Sequence, residues 1–128
     1  MRASLYGVVL GILIAGIMTG PGRAHHYTGQ FDRDHEITLT GTVKSWQWTN
    51  PHTWLILLAT DAKGVTTEWA IESMPPSGMR RQGFESTTLK PGDNVTVVVA
   101  PHKDGDLEGE LSTVLKINGQ PGLGVVKR

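Results

Sequence analysis

The stretch Ile37–Leu58, ITLTGTVKSWQWTNPHTWLILL, decides the fold. Ile37, Leu39 and Val43 fall on alternate positions, the period that turns successive side chains to opposite faces of a β-strand. After Lys44-Ser45 the apolar residues change parity, to Trp46 and Trp48. A shift of one residue is what a β-bulge produces, and Gly41 nearby lets the strand bend. Asn50-Pro51 ends the strand, because proline cannot donate to a ladder and restricts the residue before it. Trp54, Ile56 and Leu58 then resume alternation in a second strand. A long, bent first strand with a hairpin partner is the opening of a small closed barrel.

Further along, Asp61-Ala62-Lys63-Gly64 reads as a hairpin loop. Val65, Thr67, Trp69 and Ile71 alternate as a third strand, with Glu68 and Glu72 on its other face. Pro75-Pro76 stops that strand. Ser77 is a candidate cap for a short helix running to about Gln82, with Gly83 as its terminator. The turn Lys90-Pro91-Gly92-Asp93 leads into a fourth strand, Asn94–Val99, rich in β-branched residues. After a loop at His102–Asp106, Leu111, Thr113, Leu115 and Ile117 alternate as a fifth. Three strands, a helix and two strands is the order of an OB-type barrel; an SH3-like barrel, the main competitor, does not call for the helix. The expected fold class is therefore all-β, a five-stranded OB-type barrel over residues 37–118. An N-terminal arm at 25–36 would be pinned by Tyr27 and Phe31, and a Gly-rich flexible tail would follow at 119–128.

The first residues belong to a different logic. Arg2 precedes an apolar run, Tyr6–Thr19, which Gly20-Pro21-Gly22 breaks before Gly22-Arg23-Ala24. This is the pattern of a secretory signal peptide spanning 1–24 and cleaved after Ala24. The run is shorter than the roughly 20 residues a spanning helix needs, so no stable membrane span is expected after cleavage. A periplasmic or secreted protein follows. The whole chain has 12 basic and 12 acidic residues; without Arg2 and Arg23 the remainder is slightly acidic. That balance disfavours nucleic acid, which recruits strongly basic domains. With no cysteine, disulfides, thiolate metal sites and cysteine nucleophiles are excluded.

The chain resembles a family of small exported bacterial proteins of uncharacterised function. The matching features are His25-His26, Gly41-Thr42-Val43 and the run Trp48-Thr49-Asn50-Pro51-His52-x-Trp54. Trp69-x-Ile71-Glu72, Pro76-x-Gly78-Met79-Arg80-Arg81 and Leu89-Lys90-Pro91-Gly92-Asp93 extend the likeness over nearly all of the mature chain. The resemblance implies an exported OB-type β-barrel and brings no activity or substrate.

Two candidate sites follow from the residues. Cleavage after Ala24 would expose His25, whose amine and imidazole can chelate one metal together. His26 and His52 are the first choices to complete a nitrogen-rich set suited to copper, with His35, His102, Asp32 and Asp34 in reserve. The bland alternative is a solvated tail, with His52 bonding a backbone carbonyl to fix its turn. The second candidate is a binding surface of Trp46, Trp48, Trp54, Arg80 and Arg81. There the rings would stack on a ligand and the guanidinium groups would take a carboxylate or other anion. Its bland alternative is four tryptophans filling a core and two arginines in surface ion pairs. Neither Ser45 nor Thr53 sits in a nucleophile motif, so no catalytic role is assigned. The expectation is a non-enzymatic binding module of the cell envelope, with copper at the N-terminal histidines as its specific form. A protein- or glycan-binding adaptor without metal is the alternative.

Overall fold

A computed structural model describes residues 29–126; the segment 1–24 expected to be a signal peptide, His25, His26, Tyr27 and the last two residues lie outside them. The elements are β1 (Ile37–Gln47), β2 (Trp54–Thr60), β3 (Thr66–Glu72), α1 (Pro76–Arg81), β4 (Asn94–Pro101), β5 (Glu108–Ile117) and β6 (Gln120–Val125). The sheet order is β3-β2-β1-β4-β5-β6, and a parallel pairing of β3 with β5 closes the first five strands into a barrel. With α1 between β3 and β4, this is the OB-type arrangement expected. No helix among the described residues is long and apolar enough to cross a membrane.

The bend in β1 lies where the parity change puts it. Register against β2 shifts between Val43 and Ser45, so β1 pairs with β4 through its first half and with β2 through its second. Gly41 belongs to both ladders, facing Ala59 on β2 and Val95 on β4. A Cβ there would run into the Leu58 carbonyl, so only glycine fits this approach.

Two details depart from the sequence expectation. In β2 the buried set is Leu55, Leu57 and Ala59, whereas Trp54, Ile56 and Leu58 face outward and are only half-buried. Both parities of this strand are apolar, so alternation alone could not choose the face; the Val43–Leu57 register does. Second, residues 119–128 do not all form a tail. Asn118 and Gly119, both with positive φ, turn the chain back. Gln120–Val125 then pair with β5 as a sixth strand, and Val126 is buried. A register shift between Val114 and Lys116 coincides with Leu115, which is 44% exposed rather than inward.

The core is aliphatic apart from Phe84. Phe84, Leu55, Leu57, Ile71, Met79, Leu89 and Leu111 are its largest fully buried side chains, each contributing on the order of 2 kcal/mol of transfer free energy. No tryptophan is fully buried: Trp46, Trp48 and Trp69 pack against this core from its margin. Met79 on α1 and Phe84 just beyond it join the cluster, so the helix segment plugs the end of the barrel to which β3 delivers it.

Candidate functional site

The plugged end of the barrel assembles most of the expected binding surface. Helix α1 begins with Pro76 at a position where a missing N–H costs nothing, and no side chain caps it, so Ser77 does not have the role expected of it. Gly83, at φ +87°, ends the segment in the conformation that favours glycine. Burying Gly78 and Met79 leaves Arg80 and Arg81 outside. The Arg80 guanidinium carbon lies 5.7 Å from the centre of the Trp48 ring, inside cation–π range. Trp46 and Trp48 are neighbours, with centroids 5.7 Å apart and planes tilted by 52°. Trp46 is fixed by its indole N–H, which donates to the Glu85 carbonyl at 3.0 Å. Glu85 also meets Arg80 at 3.5 Å, a pair in which both side chains are more than half exposed, hence of little energetic weight. The buried Trp48 Nε1 has no hydrogen-bond partner among the described residues, and an orphaned buried donor costs about 1–3 kcal/mol.

A second cluster crosses the β3–β5 seam. His52 follows the cis Asn50–Pro51 bond, and Thr49 Oγ1 donates to the His52 carbonyl at 2.8 Å, closing the turn. The His52 ring meets a carboxylate: its Nδ1 lies 2.6 Å from Glu72 Oε1. The Glu72 side chain is 4% exposed. Burial, then the charges of Glu110 and Glu108, pushes its carboxyl up to about 7. Glu110, the register partner of Glu72, receives a two-pronged contact from Arg33, with Nε at 3.0 Å and Nη2 at 3.2 Å. Ser112 donates to Glu36 alongside. The N-terminal arm is thus tied to the seam by side chains, and Phe31, buried, bridges to His102.

Arg81 is exposed on the same helix as Arg80. Trp54, the first residue of β2, pairs in register with Gln47 on β1 and Glu72 on β3, and no ring contact joins it or Trp69 to the Trp46–Trp48 pair among the described residues. The histidines do not converge. His35 faces Asp32 at 3.0 Å, and His102 faces Asp104 and Asp106 at 3.8 and 3.9 Å. No three His, Asp or Glu side chains among the described residues could hold a metal; His25 and His26 lie outside these residues.

Sequence reasoning missed Glu72, Glu110 and Arg33 as a connected set. The parallel register that aligns Glu72 with Glu110 has no local signal. Chemically, His52 with Glu72 is an oriented imidazole–carboxylate pair. The neighbouring Thr53 hydroxyl is buried and donates to the Met74 carbonyl at 2.8 Å, so it is not presented as a nucleophile.

The model of a family described as "Family of unknown function (DUF6152)" matches residues 14–111. No curated protein matches the chain significantly. The chain belongs to this family of unknown function.

Proposed function

We propose that this family member is a non-enzymatic binding module of the cell envelope, whose ligand-reading surface is the Trp46–Trp48–Arg80 face at the plugged end of the barrel. The observation that carries this reading is the approach of the Arg80 guanidinium to the Trp48 ring, 5.7 Å from its centre. A guanidinium held against an indole retains N–H donors for a carboxylate, and the exposed Arg80–Glu85 pair at 3.5 Å is weak enough to be exchanged for one. Trp46 beside it supplies a ring surface for the apolar part of the same ligand. The ligand class is therefore an acidic group on an envelope protein or glycan, and Arg81 adds a second cation on the same helix.

The test titrates the mature protein, His25–Arg128, with a Glu-rich peptide and reads tryptophan fluorescence. Arg80→Lys separates a planar fork from a point charge. Affinity should fall about tenfold in Arg80→Lys, as expected when a bidentate contact becomes monodentate. Equal affinity of the wild type, Arg80→Lys and Arg80→Ala/Arg81→Ala proteins would remove this face from consideration.

A second reading, copper held by His25, His26 and His52, has one observation in its favour. Histidines that bind metals are commonly oriented by a carboxylate at their other ring nitrogen, and Glu72 stands in that relation to His52 Nδ1. Cu(II) titration of correctly processed protein against the His25→Ala and His52→Ala variants decides it: unchanged affinity in both rejects the site.

A further inference from the structure

The barrel has a second end, and it is not plugged. About 240 Å³ of open space lies there, between the first half of β1, the end of β2 and the start of β3. Its origin can be read from side-chain size. Ala59 is the smallest side chain of the lining, and it leaves a gap in a wall otherwise built of larger residues. Leu39 and Trp69 flank that gap, both partly buried against the core. Thr67, the register partner of Ala59, shares the Trp69 face of β3. Around the rim stand Thr38, Thr60 and Asp61.

The chemistry of this wall selects its occupant. The volume corresponds to about eight waters, enough for one substituted six-membered ring and not for two. Trp69 and Leu39 offer apolar surface to C–H groups. The Thr67 hydroxyl makes no hydrogen bond among the described residues, so it is available both to donate and to accept. Asp61 Oδ1 accepts from the Lys63 and Val65 amides at 2.8 and 2.9 Å, which fixes the carboxylate at the rim. It is the one charged side chain of the lining, so an anionic ligand is disfavoured and a hydroxyl donor is favoured. Aromatic floor, hydroxyl wall and a fixed carboxylate rim match a ring with one apolar face and several O–H groups. We infer that the open mouth between β1, β2 and β3 is a binding site for a single uncharged hexopyranose ring, free or as the terminal unit of a glycan.

This site lies some seven residues along β1 from Trp46, about 20 Å away, and does not depend on the Trp–Arg face. Nuclear magnetic resonance of the mature, isotope-labelled protein tests it through the Trp69 indole N–H, assigned by its disappearance in Trp69→Phe. The probes are methyl glucopyranoside and N-acetylglucosamine for a free ring, and chitotriose for a glycan end. At least one should give saturable shifts at Trp69 and Thr67 with a dissociation constant of about 1 mM, the range open to a handful of contacts. Affinity higher for chitotriose than for N-acetylglucosamine assigns the glycan end, and equal affinity assigns the free ring. Thr67→Val should weaken binding about tenfold by removing one buried hydrogen bond. Ala59→Leu, which fills the gap, should abolish it. Because Ala59→Leu could also disturb folding, Thr67→Val stands as the independent arm. Absence of saturable shifts with all three probes at 50-fold the expected dissociation constant overturns the inference, as does unchanged affinity in Thr67→Val.

Discussion

Replacing Glu72 by Gln should change the pH dependence of stability in a defined direction. In the native protein its carboxyl is pushed up to about 7, chiefly by burial, from 4.5 for an unperturbed glutamate. Between those two values the native state holds a proton that the unfolded chain has released. The contribution of the neutral acid is therefore fully present below about 4.5 and is lost as pH rises through about 7. A shift of that size corresponds to about 3 kcal/mol at most. His52 Nδ1, 2.6 Å from Glu72 Oε1, is a contact that the ionised carboxylate keeps, so the loss stays below that ceiling. Glutamine carries no charge at any pH, so the variant lacks this term. Urea unfolding of the metal-free protein at pH 5, 6, 7 and 8 should show the stability of Glu72→Gln rising relative to wild type by about 2–3 kcal/mol across the range. The change in the difference is the quantity read, so any constant loss of packing or hydrogen bonding cancels. The window also avoids Asp32 and Asp93, whose carboxyls are held below their usual range by His35 and Asn118 respectively and which act only under more acid conditions. If wild type and variant trace parallel lines from pH 5 to 8, Glu72 is already ionised at pH 5 and the account of its burial is wrong.

Phe84→Ala should cost about 3–5 kcal/mol in urea unfolding, since Phe84 is fully buried and forms part of the plug beneath the barrel. Gly41→Ala should destabilise by about 1–3 kcal/mol, because the added Cβ meets the Leu58 backbone, which cannot move aside without breaking the β1–β2 ladder. Arg33→Ala should leave global stability within about 1 kcal/mol, the Arg33 side chain being 47% exposed. It should nevertheless speed hydrogen exchange at the Asp32 amide, which bonds the Pro101 carbonyl, while exchange in β2 stays unchanged.

The fold was legible where local chemistry and global closure ask for the same residue. The parity change at Lys44-Ser45 could only be a bulge or a break, and Gly41 two residues before Val43 made a bend the better choice; the structure has both features. Pro75-Pro76 and Gly83 bracket the helix for steric reasons that operate in any context. Strand β2 shows the limit of such reading. Its run from Trp54 to Ala59 is apolar at every position, so periodicity carries no information about which face is inside. Position 119 onward misled for a different reason. Glycine and proline mark loops statistically, yet an edge strand tolerates both, because one side of its ladder is unpaired. Gln120–Val125 is such a strand, paired with β5 alone.

The candidate surface divides along the same line. Trp46, Trp48 and Arg80 could be proposed together because a bulged strand end and the helix that follows a barrel's third strand meet at one end of an OB-type fold. That juxtaposition is a property of topology, and topology was readable. The approach of Glu110 to Glu72 was not, because it depends on a parallel pairing between β3 and β5, segments more than 30 residues apart in the chain. Such closure is dictated by the shear of the whole barrel and by no residue near it. The same reasoning accounts for the tryptophans. Four large rings suggest a core by composition, but a five-stranded barrel this small has an interior already filled by Leu, Val, Ile, Met79 and Phe84. Rings of that size are displaced to the ends, where the barrel opens and apolar surface is left half-covered. A surplus of tryptophan over interior volume is thus a sequence-level pointer to the two ends of the barrel, which is where both proposed sites lie.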